Sequence, residues 1–89
     1  MSAKRFIVRG RVQGVNFRAT AAQQADRLGL RGRIWNRADG AVEAEAVGSD
    51  DALAKFEAWL QHGPSYADVE SVEAVALPSE PRHSGFAVD

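Results

Sequence analysis

Residues 8–18 read Val8-Arg9-Gly10-Arg11-Val12-Gln13-Gly14-Val15-Asn16-Phe17-Arg18. An apolar strand pattern runs into a glycine-containing loop, and a helical pattern begins at Phe17. Loops of this kind point backbone N–H groups toward the start of a helix, a geometry that binds phosphate. Arg18 adds a permanent positive charge whose planar donors match phosphoryl oxygens. The stretch therefore predicts an anion site.

A purely structural explanation of the same stretch stays open. Gly10 and Gly14 permit close backbone approach and positive φ, which many strand-to-helix turns need without binding any ligand. Arg18 could likewise pair with a surface carboxylate. No Gly-Lys-Ser/Thr follows the glycines, so the loop does not predict a nucleotide site of the Walker A type.

The patterns on both sides of the loop predict the order β-α-β-β-α-β with a short strand at the end. The strands are expected over 4–9, 31–37, 41–47 and 68–77, with Phe86 and Val88 in the terminal strand. One helix is expected from Phe17 to Leu28, and a second follows the N-cap candidate Ser49 and ends before Gly63-Pro64. This order is that of an α+β, ferredoxin-like sandwich, in which two helices cover one face of an antiparallel sheet. The core is expected to include Phe6, Val8, Phe17, Leu28, Val42, Leu53, Phe56 and Leu60.

Length and composition bound the class of protein. The 89 residues are 45% hydrophobic and contain no cysteine, which predicts one domain over residues 1–89 without disulfides or thiol chemistry. No segment is apolar over the roughly 18 to 20 residues that a membrane span needs. Residues 1–5 lead directly into a strand pattern rather than an apolar signal core, so we expect a cytoplasmic protein.

Charge is distributed unevenly along the chain. Residues 1–37 carry nine basic side chains and one acidic one, whereas residues 38–89 carry two basic and eleven acidic side chains. Such asymmetry can indicate an anion site or a nucleic-acid contact. Alternatively, strands from the two halves alternate in space and the charges meet on exposed faces. Both interpretations stay open at this point.

Asn36 is the second polar residue of interest. It lies near the end of the second predicted strand, and its amide could orient a water molecule without titrating. Asparagine is also common near turns, and position alone favours a role in shaping the turn with Asp39-Gly40. Glu43 and Glu45 share one strand face and are interpreted as a surface row rather than as an acid–base pair.

The remaining nucleophile and metal-ligand candidates are few. His62 and His83 are isolated, without cysteines or a His-Glu-x-x-His pattern, and predict no metal site. A phosphocysteine intermediate is impossible without cysteine, and neither histidine lies near the loop in sequence. If the loop binds a phosphoryl group, the chemistry left is direct attack by water, with positioning and electrostatics supplying the catalysis.

The residues quoted above resemble the acylphosphatase family. The run from Val8 to Arg18 matches the family's first signature, with an aliphatic residue followed by Gly10, Val12-Gln13-Gly14-Val15, Phe17 and Arg18. Residues 32–48 resemble the second signature, with Asn36, Gly40, Val42 and Gly48 in register. The second helix and last long strand are similar at Phe56, Leu60, Gly63-Pro64, Ala67 and Val69. Arg33 and Trp35 depart from the pattern, because the family usually has an aromatic residue at the first position and a basic or polar one at the second.

The resemblance implies hydrolysis of the carboxyl-phosphate bond of acylphosphates to a carboxylate and inorganic phosphate, without a metal or cofactor. It assigns catalytic roles to Arg18 and Asn36, with Asn36 orienting the attacking water. It assigns phosphate binding to the loop residues Gln13, Gly14, Val15, Asn16, Phe17 and Arg18. The expected partner is a small acylphosphate, with phosphate or sulfate as product-like ligands, and neither a nucleic acid nor a membrane. The protein is expected to be a monomer.

Two other functions are alternatives to acylphosphate hydrolysis. One is an acylphosphatase-like module that serves carbamoyl phosphate within a larger maturation enzyme, which would require further domains outside these 89 residues. The other is a non-enzymatic ferredoxin-like binding domain, such as an RNA-recognition module. The third strand, Ala41–Val47, carries acids and lacks the aromatic residues on which such modules stack bases, which argues against RNA.

Overall fold

Five strands and two helices make up the fold of residues 1–89 in the computed structural model. In chain order they are β1 (Ser2–Arg11), α1 (Phe17–Arg27), β2 (Arg31–Asn36), β3 (Val42–Gly48), α2 (Asp50–Leu60), β4 (Asp68–Ala76) and β5 (Phe86–Val88). Every predicted element is present, and most boundaries fall within one residue of the prediction. The largest difference is β1, which extends two residues further at each end because it pairs with a neighbour on both sides.

The sheet has the strand order β4-β1-β3-β2-β5, and its first four strands are antiparallel. The predicted ferredoxin-like sandwich is therefore confirmed. The added strand β5 is parallel to β2, with Gly32 opposite Phe86. This direction follows from the connection after β4. Because β4 is antiparallel to β1, it finishes at the end of the sheet where β1 and β2 begin, and the chain therefore enters β5 from the same end as β2.

The two helices cover one face of the sheet and enclose the core. Ser49 caps α2 as predicted, because its hydroxyl accepts a hydrogen bond from the Ala52 N–H at 3.1 Å. Phe56 packs edge-on against Phe6 with ring centroids 5.6 Å apart. Of the eight predicted core residues, seven are fully buried and only Leu28 is partly exposed, at the C-terminal end of α1.

Ion pairs between the basic and acidic halves of the chain cover the opposite face of the sheet. Arg5 on β1 lies 3.2 Å from Glu43 on β3, and Arg9 lies 3.3 Å from Glu73 on β4. Arg33 on β2 contacts Glu45 at 3.9 Å. The uneven charge distribution along the sequence is therefore largely neutralised in space, because β3 and β4 come from the acidic half and flank strands from the basic half.

Arg33 and Trp35, the two positions that depart from the family pattern, interact with each other on this face. The Arg33 guanidinium lies 4.5 Å from the centre of the Trp35 ring, a cation–π contact. Glu43 and Glu45 form ion pairs with arginines, which agrees with a surface row rather than an acid–base pair. Neither helix is long and apolar enough to cross a membrane.

Candidate active site

The loop between β1 and α1 presents a row of unused backbone donors. Gly14 and Asn16 have left-handed backbones, with φ of +76° and +61°. Glycine adopts this conformation without strain, and asparagine tolerates it better than most residues. None of the N–H groups from Gln13 to Asn16 donates a hydrogen bond within the protein. Successive N–H groups in such a turn form a concave anion-binding surface.

The start of α1 holds this loop in place. Phe17 is buried at the first helical position, and its ring lies 5.8 Å from that of Trp59 on α2. The Asn16 side chain does not cap the helix, but its carbonyl oxygen accepts hydrogen bonds from the N–H and the hydroxyl of Thr20, at 3.2 and 2.9 Å. The first N–H groups of the helix therefore face the loop without a capping side chain, and the positive end of the helix dipole points there too.

Arg18 lies in the first turn of α1, beside the loop. Its Nη1 donates a hydrogen bond to the main-chain oxygen of Asp89, directly after β5. The guanidinium forms no ion pair with an acidic side chain. Because Asp89 is the last residue of the chain, this oxygen belongs to a carboxylate, so the structural alternative for Arg18, pairing with a carboxylate, stays open.

Asn36 ends β2, and its side chain makes no hydrogen bond within the protein. The turn that follows is held by other groups: the Arg37 N–H donates to the Ala41 carbonyl at 2.8 Å, and the Asp39 carboxylate accepts from the Ala41 N–H at 3.1 Å. The turn-shaping role that position alone favoured for Asn36 thus belongs to Asp39. The Asn36 amide is left free.

Loop, arginine and asparagine meet in one open cleft of about 310 Å³. The lining residues are Val12, Gly14, Asn16, Phe17, Arg18, Ala19, Asn36 and Val88. The sheet register explains why they meet: Val8 on β1 and Asn36 on β2 are both opposite Val42 on β3. The end of β2 and the loop after β1 therefore lie at the same end of the sheet.

Of the residues expected in the site, Gly14, Asn16, Phe17, Arg18 and Asn36 line the cleft. Gln13 and Val15 do not, although their N–H groups are among the unused donors. Sequence reasoning did not identify the contributions of Val88 and Asp89. No local pattern could have revealed them, because their place beside Arg18 depends on the parallel pairing of β5 with β2.

A charged cluster stabilises the turn next to the cleft. Arg37 pairs with Glu43 at 2.9 Å and with Asp39 at 3.1 Å, and Arg9 lies 3.3 Å from Asp39. The Ala41 N–H and then the Arg37 guanidinium lower the pKa of Asp39 to about 2. The hydrogen bond to Asp39 is also the main cause that raises the pKa of Arg37. Both groups are charged at neutral pH.

Comparison with known proteins gives the family. The family model described as Acylphosphatase matches residues 4–88. An acylphosphatase from Alkalilimnicola ehrlichii is 45% identical over 86 residues, which are 97% of this chain and 96% of that protein. The chain belongs to the acylphosphatase family. It is an acid-anhydride hydrolase of that family, with acylphosphates as the general class of substrate.

Solved structures support the same assignment at the level of the fold. The crystal structure of acylphosphatase from Bacillus subtilis superposes with a TM-score of 0.96 at 36% identity, covering 100% of this chain and 99% of that one. The crystal structure of T. kodakarensis HypF matches with a TM-score of 0.85 at 27% identity, but this chain corresponds to only 12% of HypF. The same fold thus also occurs as a small part of a larger protein.

Proposed function

We propose that the chain hydrolyses acylphosphates by direct attack of water on a phosphoryl group held by the loop and Arg18. One observation supports this most: Gly14 and Asn16, whose N–H groups are unused, line one cleft together with the Arg18 guanidinium and the free Asn36 amide. The N–H groups of Gln13 to Phe17 and the Arg18 guanidinium bind the phosphoryl oxygens. Oriented donors of this kind stabilise the charge of the transition state without reorganising during the reaction.

Asn36 orients the attacking water in this mechanism. Its side-chain oxygen accepts a hydrogen bond from the water while the loop holds phosphorus in line with it. The water oxygen forms a bond to phosphorus, the bond from phosphorus to the carboxyl oxygen breaks, and the electron pair leaves with the carboxylate. The water proton passes to an oxygen of the bound phosphate, so no side chain acts as a general base.

The composition of the cleft supports a preference for acylphosphates over phosphomonoesters. No carboxylic acid or histidine lines it, so no side chain is available to protonate a poor leaving group. A carboxylate needs no such help, because its conjugate acid has a pKa of about 4. An alkoxide, released from a phosphomonoester, would need a general acid. The same binding groups fit inorganic phosphate and sulfate, which we expect to compete with the substrate.

Every group in the proposed mechanism comes from one chain, so we propose that the protein acts as a monomer. A second candidate substrate is carbamoyl phosphate, a mixed anhydride with the same bond to phosphorus. That alternative requires a larger protein, and the match to a 12% portion of T. kodakarensis HypF shows that this fold occurs in one. The near-complete mutual coverage with the A. ehrlichii acylphosphatase favours simple acylphosphates.

The decisive experiment measures phosphate release by the purified chain from benzoyl phosphate, carbamoyl phosphate and p-nitrophenyl phosphate. We expect rapid hydrolysis of benzoyl phosphate, little of the monoester, and activity unaltered by EDTA. Binding of labelled RNA is measured beside them. Equal hydrolysis of the monoester, a strong loss with EDTA, or RNA binding without hydrolysis would each contradict the proposal.

A further inference from the structure

We infer that the Gln13 side chain is a positioning residue that sets the distance between the phosphate loop and Asn36. The inference rests on the proposed function, because it concerns the geometry that the mechanism needs. The resemblance assigned Gln13 to phosphate binding through the loop. Its side chain points elsewhere, toward the turn between β2 and β3.

Both hydrogens of the Gln13 amide are used on that turn. Nε2 donates to the carbonyl oxygen of Arg37 at 2.8 Å and to that of Ala41 at 2.9 Å. A side-chain amide has two donors, so its donor capacity is satisfied completely. Gln13 is partly buried, which makes these hydrogen bonds less exposed to competing water than surface ones.

The two acceptors are the residues that close the turn. The Arg37 N–H donates to the Ala41 carbonyl at 2.8 Å, and the Gly40 N–H donates to the Arg37 carbonyl at 3.2 Å. Ion pairs of Arg37 with Asp39 and Glu43 fix the same segment from its other side. Gln13 therefore binds a turn that its own hydrogen bonds and ion pairs hold in place.

The hydrogen bonds of Gln13 connect the phosphate loop to the segment that follows Asn36. Gln13 directly precedes Gly14 of the loop, and Arg37 directly follows Asn36. No other hydrogen bond links residues 12–16 to residues 36–42. The Gln13 amide is thus the direct polar link that fixes the position of the phosphoryl-binding loop relative to the segment that carries Asn36.

The test replaces Gln13 with residues of similar size. Gln13→Met keeps the length of the side chain without its donors, and Gln13→Glu sets a carboxylate against two carbonyl oxygens. Gln23→Met, on the exposed side of α1, is the matched control. The measurements are kcat and KM for benzoyl phosphate and the inhibition constant of inorganic phosphate, at a temperature where circular dichroism shows each variant folded.

We expect Gln13→Met to lower kcat about 10- to 100-fold, because a misplacement of about 1 Å in a catalytic group has effects of this size. Gln13→Glu should lower kcat at least as much, and Gln23→Met should leave it unchanged. The inhibition constant of phosphate should change less than about threefold in all three, since the loop itself is retained. Unchanged kcat in Gln13→Met, or a phosphate affinity that falls in parallel with kcat, would overturn the inference.

A double-mutant cycle with Asn36→Ala separates positioning from a general structural role. Because Gln13 is inferred to act through Asn36, Gln13→Met should lower kcat little further once Asn36 is alanine. Effects that multiply would mean that Gln13 acts independently, and the inference fails. If Asn36→Ala lowers kcat and Gln13→Met does not, only the inference about Gln13 fails. If Asn36→Ala alone leaves kcat unchanged, the water-positioning mechanism fails and the inference falls with it.

Discussion

Gly14 and Gly29 have nearly the same left-handed backbone, with φ of +76° and +75°, yet they lie in different surroundings. Gly14 belongs to the loop with the unused N–H groups, whereas Gly29 follows the C-terminal end of α1. A Cβ atom built on either residue has nothing within 4 Å. Substitution by alanine would therefore impose the same backbone strain at both sites without any clash.

This pair yields a matched prediction. Gly14→Ala and Gly29→Ala should each lower the free energy of unfolding by about 1 to 2 kcal/mol, the typical cost of a left-handed alanine. Only Gly14→Ala should weaken the binding of inorganic phosphate, because strain at that position disturbs the row of N–H groups. Chemical denaturation and phosphate inhibition measure the two effects. Equal phosphate affinity in both variants would argue against a phosphate loop at residues 13–17.

Arg18→Ala should lower kcat by about 10² to 10³-fold, as the loss of a preorganised donor to the transition state typically does. KM should rise as well, because the guanidinium is proposed to contact the phosphoryl group in both the ground and the transition state. Arg27→Ala, at the exposed end of the same helix, is the control and should keep wild-type kinetics. Wild-type turnover of benzoyl phosphate by Arg18→Ala would remove this residue from the mechanism.

Asn36→Ala should chiefly lower kcat, by about 10²-fold, because it removes a group that orients the nucleophile. Its side chain makes no hydrogen bond in the fold, so the free energy of unfolding should change by less than about 0.5 kcal/mol. Steady-state kinetics, phosphate inhibition and urea denaturation together test this. A variant that loses phosphate affinity but keeps kcat would point to a binding role instead.

The ion pairs around Asp39 predict a pH dependence of stability. The pKa of Asp39 is lowered to about 2 in the folded protein, below its ordinary value of about 3.9, so the carboxylate stabilises the fold above that ordinary value. The contribution declines as the pH falls from about 4 through about 2. Asp39→Asn keeps an acceptor for the Ala41 N–H but removes the charge.

The wild type should therefore exceed Asp39→Asn in stability by a constant margin between about pH 5 and 8, and the margin should shrink toward pH 2. Urea denaturation at a series of pH values measures it, and added salt should reduce the margin because these side chains are exposed. A margin independent of pH would show that the charge of Asp39 does not contribute.

Local patterns in the sequence predicted most of the fold. The helical spacing after Phe17, the Asp39-Gly40 turn and the Ser49 cap each depend on neighbours within a few residues, and all three are found in the structure. The parallel direction of β5 was not predictable, because three residues carry too little pattern to specify a partner strand.

Some features of the candidate site could likewise be predicted from local sequence, and others required the tertiary structure. The glycines and Arg18 indicated an anion-binding loop because its N–H donors, helix start and guanidinium are adjacent in sequence. Position alone gave Asn36 a turn-shaping role, whereas the structure leaves its amide free and gives the turn to Asp39. The side chain of Gln13 had no interpretable role until Arg37 and Ala41 were known to lie beside it.

The sequence by itself determined the order of the elements, the loop that presents its N–H groups and the family resemblance, because these depend on residues close together along the chain. Tertiary structure alone decided that Asn36 faces that loop, that Gln13 links the two, and that Asp89 contacts Arg18. These relationships join residues about 20 to 71 positions apart. They exist because β3 pairs with both β1 and β2, and because β5 joins the far side of β2.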